Sequence, residues 1–266
     1  MTPGPRRVRR SASPTALARR ALGDRRATPD PEWVGQLTGA SPARVRATLA
    51  EVEELVPVEE EIRRAHRGAG RPTYAQIRAP FELYAIVRLL RPDHVVEAGV
   101  SSGVSSAHFL LALRRNRHGR LHSIDRPTFQ RGPTLAAGES AVSIPPGRSS
   151  GWAVPERLRE RWDLRIGPSE ELLPPLVEEL PSIGVFLHDD LHTAAHLTFE
   201  LRTVRPRLAP GAVVLADNTA WTGTAFPRFA DALGVPWRRR RRSDLVGLRV
   251  PPAGPRRPGR RRAPRS

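Results

Sequence analysis

Apolar residues recur at helical spacing in the first third of the chain. Between residues 32 and 68, Val45, Leu49 and Val52 follow one another at three- to four-residue intervals, which predicts amphipathic helices. A second amphipathic segment runs from Phe81 to Leu90. The sequence therefore predicts an N-terminal helical region.

From residue 94 onward, short apolar runs alternate with helical patterns. The predicted strands are 94–98, 121–124, 162–166, 183–187, 212–216, 236–242 and 245–250. Strands that alternate with helices predict an α/β fold with a doubly wound, mostly parallel seven-stranded sheet. The closing pair of strands predicts that one strand at the edge of the sheet is reversed.

Composition divides the chain into four parts. We expect a disordered basic arm at 1–30, the helical region at 31–92, the α/β domain at 93–250 and a disordered basic tail at 251–266. Eight Arg and one acid in residues 1–26, and twelve Arg and one acid in residues 238–266, account for the net charge of +17. Such arms can bind nucleic acid, but solvated arms are the favoured interpretation, so a nucleic-acid partner is not expected.

Several classes of protein are excluded by what the sequence lacks. There is no Cys, so disulfides, thiolate metal sites and a cysteine nucleophile are ruled out. The longest apolar stretch, near 109–113, is far shorter than the roughly 20 residues of a membrane span. No apolar segment follows the first arginines, which excludes a secretory signal. We expect a soluble, cytoplasmic protein with no membrane partner.

The first predicted strand runs directly into a glycine-containing turn before a helix. Glu97 lies near the end of that strand, and Gly99, Ser101 and Gly103 follow in the turn. Glycines allow a ligand to approach the backbone, and ligands bind at the carboxyl ends of parallel strands. Asp125 ends the next strand, where a carboxylate can accept hydrogen bonds from two ribose hydroxyls. The alternative is a glycine turn and a strand-end acid with no ligand.

Polar side chains also end the fourth and fifth predicted strands. Asp189 follows one of them, and Asp217 and Asn218 follow the other. Because parallel strands end at the same edge of a sheet, these three side chains can converge, and their oxygens suit Mg²⁺. The alternative is that they cap the helices that follow.

The turn 95–103 resembles the first motif of class I S-adenosylmethionine (SAM)-dependent methyltransferases. That resemblance implies that the turn holds the methionine part of SAM and that Asp125 holds its ribose. Ser105 matches a serine that binds the carboxylate of the cofactor in this family. The segment 167–170 resembles the adenine loop of catechol O-methyltransferase-like enzymes, with Ser169 as the contacting side chain.

The strand-end residues extend the resemblance. Asp189, Asp217 and Asn218 match the metal ligands of catechol O-methyltransferase-like enzymes in type and order. The segments 189–192 and 210–211 are similar to signatures of macrocin O-methyltransferase-like proteins of methyltransferase family 24. The catechol enzymes carry a Lys base where this chain has His192, which implies that His192 is the proton acceptor, with Asp189 as the alternative.

The resemblance implies SAM-dependent, Mg²⁺-assisted O-methylation of a small hydroxylated molecule. The alternatives are an RNA or protein methyltransferase that uses the Arg-rich arms, and a binding protein without catalysis. Residues 1–75 could form a lid, a homodimer contact or neither. Tyr84, Trp152 and Trp221 are candidates for the acceptor pocket or for ordinary packing, and His188 and His196 are expected in supporting or surface positions.

Overall fold

The computed structural model of the chain describes residues 28–68, 80–127, 144–145 and 147–252. Most of the predicted basic arm at 1–30 and of the predicted tail at 251–266 lies outside the described residues, as do residues 69–79, 128–143 and 146.

Four helices lie in the described part of the N-terminal region. They are α1 (Pro31–Thr38), α2 (Pro42–Leu49), α3 (Val52–Gly68) and α4 (Pro80–Leu90). Asp30 and Ser41 cap α1 and α2 by accepting hydrogen bonds from the backbone N–H groups of Trp33 and Arg44, as expected for Asp and Ser before a first-turn Pro. The predicted helical region is confirmed.

The remaining elements alternate between strand and helix. In chain order they are β1 (His94–Ala98), α5 (Val104–Asn116), β2 (Arg120–Asp125), β3 (Trp162–Ile166), α6 (Ser169–Glu179), β4 (Ile183–His188), α7 (Ala194–Val204), β5 (Leu208–Ala216), α8 (Ala225–Leu233), β6 (Trp237–Arg239) and β7 (Val246–Arg249). Short 3₁₀ turns at Glu156–Arg161 and Arg205–Arg207 precede β3 and β5.

The seven strands form one sheet in the order β3-β2-β1-β4-β5-β7-β6. β1 to β5 are parallel to one another, and β7 is antiparallel to both β5 and β6. The doubly wound, mostly parallel fold is confirmed. The prediction of a reversed strand at the edge was wrong. β6 and β7 form a hairpin whose second strand pairs with β5, and this leaves β6 at the edge, in the same direction as β1–β5.

Successive side chains of a strand point to opposite faces of the sheet, and helices pack against both faces. On β1, Val95 belongs to the core beneath α1, α4 and α5, whereas Val96 belongs to the core beneath α6, α7 and α8. Val213 and Val214 of β5 divide in the same way. The carboxyl edge of the sheet is thereby held between two packed layers.

A buried ion pair ties the N-terminal region to the β6–β7 hairpin. Arg240 Nε lies 2.6 Å from Glu82 Oε1, and Arg240 Nη2 donates to the backbone oxygen of Thr28 at 2.9 Å. The backbone N–H of Asp30 also donates to Glu82 Oε1. Burial raises the pKa of Glu82, although Arg240 acts against it. The hairpin turn is thus fixed at the carboxyl edge.

Candidate active site

The glycines of the turn after β1 are explained by close backbone approach. Gly99 has φ +89°, and a Cβ there would lie 2.0 Å from the backbone oxygen of Asp189. Gly103 has φ +91°, and its Cβ would lie 2.3 Å from Val154 Cγ2. Gly99 therefore allows the turn to lie directly against the loop after β4. Direct contact of these glycines with a cofactor stays a prediction.

Glu97 is a buried carboxylate with one unused oxygen. Its Oε2 accepts hydrogen bonds of 2.7 Å from the hydroxyls of Ser106 and Ser123. Its Oε1 has no hydrogen-bond partner among the described residues, and neither has the buried hydroxyl of Ser102. Burial raises the pKa of Glu97 to about 7, against the opposing effect of hydroxyl groups that include that of Ser105. Unsatisfied buried polar atoms call for a partner, and the ammonium and carboxylate groups of SAM are suitable ones.

Asp125 holds the glycine turn from the end of β2. Its Oδ1 accepts hydrogen bonds from the backbone N–H groups of Val100 at 2.9 Å and Ser101 at 3.3 Å. The hydroxyl of Ser150 donates to Oδ2, and burial raises the pKa of the carboxyl group. The predicted ribose ligand is thus placed beside the turn, but a ribose hydroxyl must share Oδ2 with Ser150 or replace it.

The predicted reaction residues converge at the carboxyl edge. The backbone N–H of Asp189 donates to the oxygen of Ala98, and that of Asp217 donates to the oxygen of His188. His192 Nε2 lies 3.5 Å from Asp189 Oδ1 and 3.4 Å from Asn218 Nδ2. The structure therefore brings Asp189, Asp217, Asn218 and His192 into one group.

Electrostatics in this group favour a cation. Burial, followed by the negative charge of Asp189, raises the pKa of Asp217 to about 7. A buried carboxyl group beside a second carboxylate fits a divalent ion, whose charge would offset the negative charge of the pair. Asn218 has a left-handed backbone, with φ +50°, at the end of β5.

A second group of polar and charged residues lies next to the first. The sequence did not predict that these residues come together. We call it the His196 cluster; it contains Ser169, Glu170, Asp190, His196 and Glu200. His196 Nε2 lies 3.0 Å from Ser169 Oγ, 3.1 Å from Glu200 Oε1 and 3.2 Å from Asp190 Oδ2, and His196 Nδ1 lies 3.1 Å from Glu170 Oε1. His188 Nδ1 lies 2.6 Å from the other oxygen of Glu200.

The His196 cluster has strongly shifted ionisation. Burial opposes the charged form of His196, but the hydrogen bonds and charges of Asp190 and Glu200 raise its pKa to about 10. Burial also opposes the charged form of Glu200, but His188 and His196 lower its pKa to about 2. Both histidines are buried, so the surface position is wrong and the supporting role stays a prediction. The i,i+4 spacing of His196 and Glu200 on a helix that follows a site loop was the available signal.

The structure also locates Ser169, Tyr84 and Trp221, the residues of three other predictions. The hydroxyl of Ser169 donates to Asp190 Oδ2 at 3.0 Å, so it is used inside the cluster, and its contact with adenine stays a prediction. Tyr84 is buried in the N-terminal core and donates to Glu51, so it does not wall an acceptor pocket. Trp221 is 40% exposed, and its ring lies 5.7 Å from that of His192.

Comparison with known proteins identifies the central part of the chain. Residues 96–219 match the model of methyltransferase family 24, which is described as a methyltransferase domain. This match marks the part of the chain that is similar to a methyltransferase domain. It contains the glycine turn, Asp125, the loop after β4 and the end of β5, so the predicted class I, SAM-dependent methyltransferase is confirmed. No curated protein sequence matches the chain.

Solved structures share the fold at low sequence identity. The O-methyltransferase NovP has a TM-score of 0.53 and 14% identity, over 74% of this chain and 99% of that one. TomG from Streptomyces achromogenes, an O-methyltransferase involved in tomaymycin synthesis and solved with SAM, has a TM-score of 0.51 and 20% identity over 74% and 89%. An O-methyltransferase from Bacillus cereus in complex with SAH has a TM-score of 0.50 and 13% identity over 72% and 90%.

None of the described helices is both long enough and apolar enough to cross a bilayer.

Proposed function

We propose that this methyltransferase transfers the methyl group of SAM to a hydroxyl oxygen of a small molecule, with a divalent cation held by Asp189, Asp217 and Asn218. The observation that carries the proposal is the convergence of these residues with His192, directly beside the glycine turn. Gly99 is the link, because it allows the turn to contact the backbone of Asp189.

The cofactor half of the site supports this proposal. Glu97 Oε1 is an unused buried acceptor suited to the ammonium group of SAM, and Ser105 lies in the first turn of α5 beside it. Asp125 is placed to accept hydrogen bonds from the ribose. Bound SAM supplies an electrophilic methyl group on its sulfonium, and these residues orient that methyl toward the carboxyl ends of β4 and β5.

The reaction half supports proton removal by His192. When bound, the cation lowers the pKa of a hydroxyl that it contacts. His192 Nε2 faces Asp189 and Asn218 and so lies where it can take the hydroxyl proton. The oxygen then forms its bond to the methyl carbon as the methyl–sulfur bond breaks, and S-adenosylhomocysteine leaves with the electron pair of that bond. Histidine is the side chain that most often accepts a proton in such a step. Asp189 holds the ring in this position.

A small acceptor is supported by two features. Trp221 is partly exposed beside His192 and offers an aromatic wall for a planar molecule. NovP and TomG, which share the fold, are described as O-methyltransferases, and TomG as acting in tomaymycin synthesis.

The test is methyl transfer from radiolabelled SAM to catechol, with Mg²⁺ or with EDTA. We expect turnover with Mg²⁺ and its loss with EDTA, with Asp217→Asn and with His192→Gln. Asp93→Asn is the matched control, because Asp93 is exposed just before β1, at the opposite edge of the sheet, where it pairs with His118. Equal turnover with EDTA and Mg²⁺ contradicts the metal role, and transfer to RNA instead of catechols, lost on deletion of residues 1–27, contradicts the small acceptor.

A further inference from the structure

The His196 cluster has the geometry of a second metal site. One ligand atom each from Asp190, His196 and Glu200 lies within 4.8 Å of the other two. The distances from His196 Nε2 to Glu200 Oε1 and to Asp190 Oδ2 are 3.1 and 3.2 Å. Ligands on a tetrahedral ion with bonds of about 2.0–2.2 Å are separated by roughly 3.3–3.6 Å. Three atoms so arranged can contact one ion after small shifts.

Hydrogen bonds from His196 Nε2 alone do not satisfy the oxygens around it. His196 Nε2 faces three oxygens, from Ser169, Glu200 and Asp190, all within 3.2 Å. A ring nitrogen carries at most one proton, so a single N–H cannot be donated well to all three. A cation among them would be bound by the ring nitrogen and both carboxylates together.

The groups behind these atoms are arranged as in known metal sites. A metal-bound histidine typically donates its other ring N–H to a carboxylate, and a metal-bound carboxylate is itself hydrogen-bonded. His196 Nδ1 lies 3.1 Å from Glu170 Oε1, and Glu200 Oε2 lies 2.6 Å from His188 Nδ1. Both ligands therefore have outer partners that fix their orientation.

The local charge also favours a cation. Glu200 is fully buried, Asp190 is 22% exposed, and both point at one edge of the His196 ring. Two carboxylates therefore face one ring nitrogen in a mostly buried site.

We propose that Asp190, His196 and Glu200 bind a divalent cation of the zinc type, with Ser169 or a water as the fourth ligand. One nitrogen and two carboxylate oxygens are a donor set that suits Zn²⁺ better than Mg²⁺. This site is separate from the group of Asp189, Asp217 and Asn218. Its ion fixes the loop between β4 and α7, which carries Asp189 and His192, and so sets the position of both.

The experiment uses the full chain, stripped with EDTA and dialysed, and titrated with Zn²⁺ by calorimetry and with Co²⁺ by visible absorption, without SAM. We expect about one equivalent of Zn²⁺ per chain and Co²⁺ bands typical of low coordination. Glu170→Gln should weaken Zn²⁺ binding about 10-fold to 100-fold, the range for outer partners of metal ligands. Asp190→Asn should weaken it further. Both side chains are partly exposed, so these variants should fold.

The matched control is Asp217→Asn, which removes a carboxylate from the other site and should leave Zn²⁺ affinity unchanged. The proposal is overturned by affinity that is equal in all variants, by no Zn²⁺ binding tighter than millimolar, or by ¹⁵N NMR that shows both nitrogens of His196 protonated in the presence of one equivalent of Zn²⁺. Each of these outcomes leaves Mg²⁺-dependent methylation of catechol untouched, so the two proposals fail separately.

Discussion

Two buried carboxylates at the carboxyl edge of the sheet ionise in opposite ways. Burial and Asp189 raise the pKa of Asp217 to about 7, whereas His188 and His196 lower the pKa of Glu200 to about 2 in spite of its burial. Since both are buried, the difference comes from their neighbours. Glu200 lies against two histidines, whereas the negative charge of Asp189 is the neighbour that adds to the effect of burial on Asp217.

The largest effect that tests this difference is expected from Glu200→Gln. The change removes a fully buried carboxylate that contacts both His188 and His196 and should cost about 3–5 kcal/mol of unfolding free energy, as for other broken buried ion pairs. Urea unfolding at pH 7 measures it. Glu178→Gln on α6 is an exposed control that should change little. A loss below about 1 kcal/mol would show that Glu200 is not held by these ion pairs.

Gly99→Ala should be next in size. Its Cβ would meet the backbone oxygen of Asp189 at 2.0 Å, and φ is +89°, so we expect a loss of about 2–3 kcal/mol and displacement of Asp189 from Asp217. Gly223→Ala is the control: φ is +58° and no atom lies within 4 Å, so only the backbone term of about 1 kcal/mol applies. Equal losses in urea unfolding would contradict the contact between the turn and the loop.

The dependence of stability on pH should change in Asp217→Asn. The pKa of Asp217 is raised to about 7 in the folded chain from the ordinary value of 3.8 for Asp, so the folded state binds the extra proton between about pH 4 and 7. Its contribution is therefore present below pH 4 and is lost as the pH rises through 7. The variant should lose this decline, measured as the difference from the wild type in urea unfolding at pH 5 and 8. Identical curves would contradict the raised pKa.

The smallest effect concerns Ser150→Ala. Ser150 donates to Asp125 Oδ2, the oxygen that a ribose hydroxyl needs. Removing one competing hydrogen bond, worth about 1 kcal/mol, should tighten SAM binding by about threefold to fivefold in calorimetry. Ser149→Ala, at the neighbouring position, serves as control. Weaker binding in Ser150→Ala would show that this hydroxyl belongs to the cofactor site itself.

The parts that could be predicted from the sequence are those set by local pattern and parallel pairing. The approach of Asp189 to Asp217 follows because β4 and β5 are parallel neighbours that end together. The glycine turn could be located in the same way, since it follows a strand and precedes a helix. The methyltransferase class then follows from the ordered set of motifs.

The parts that could not be predicted depend on partners distant in sequence. The sequence makes Tyr84 a candidate for the acceptor pocket, but in the structure its hydroxyl donates a hydrogen bond to Glu51. The position of β6 depends on the pairing of β7 with β5, and that of the hairpin turn on Arg240 and Glu82. The His196 cluster joins the starts of α6 and α7, a contact that no spacing along the chain specifies.

The central claim, that the glycine turn and Asp125 form a SAM site, is tested most directly by calorimetric titration of SAM into the wild type and Asp125→Ala. Asp93→Asn serves as the control. We predict micromolar-range binding to the wild type and the control, and its loss in Asp125→Ala. Equal binding to all three proteins would contradict the assignment of Asp125, and absence of binding to the wild type would contradict the cofactor site as a whole.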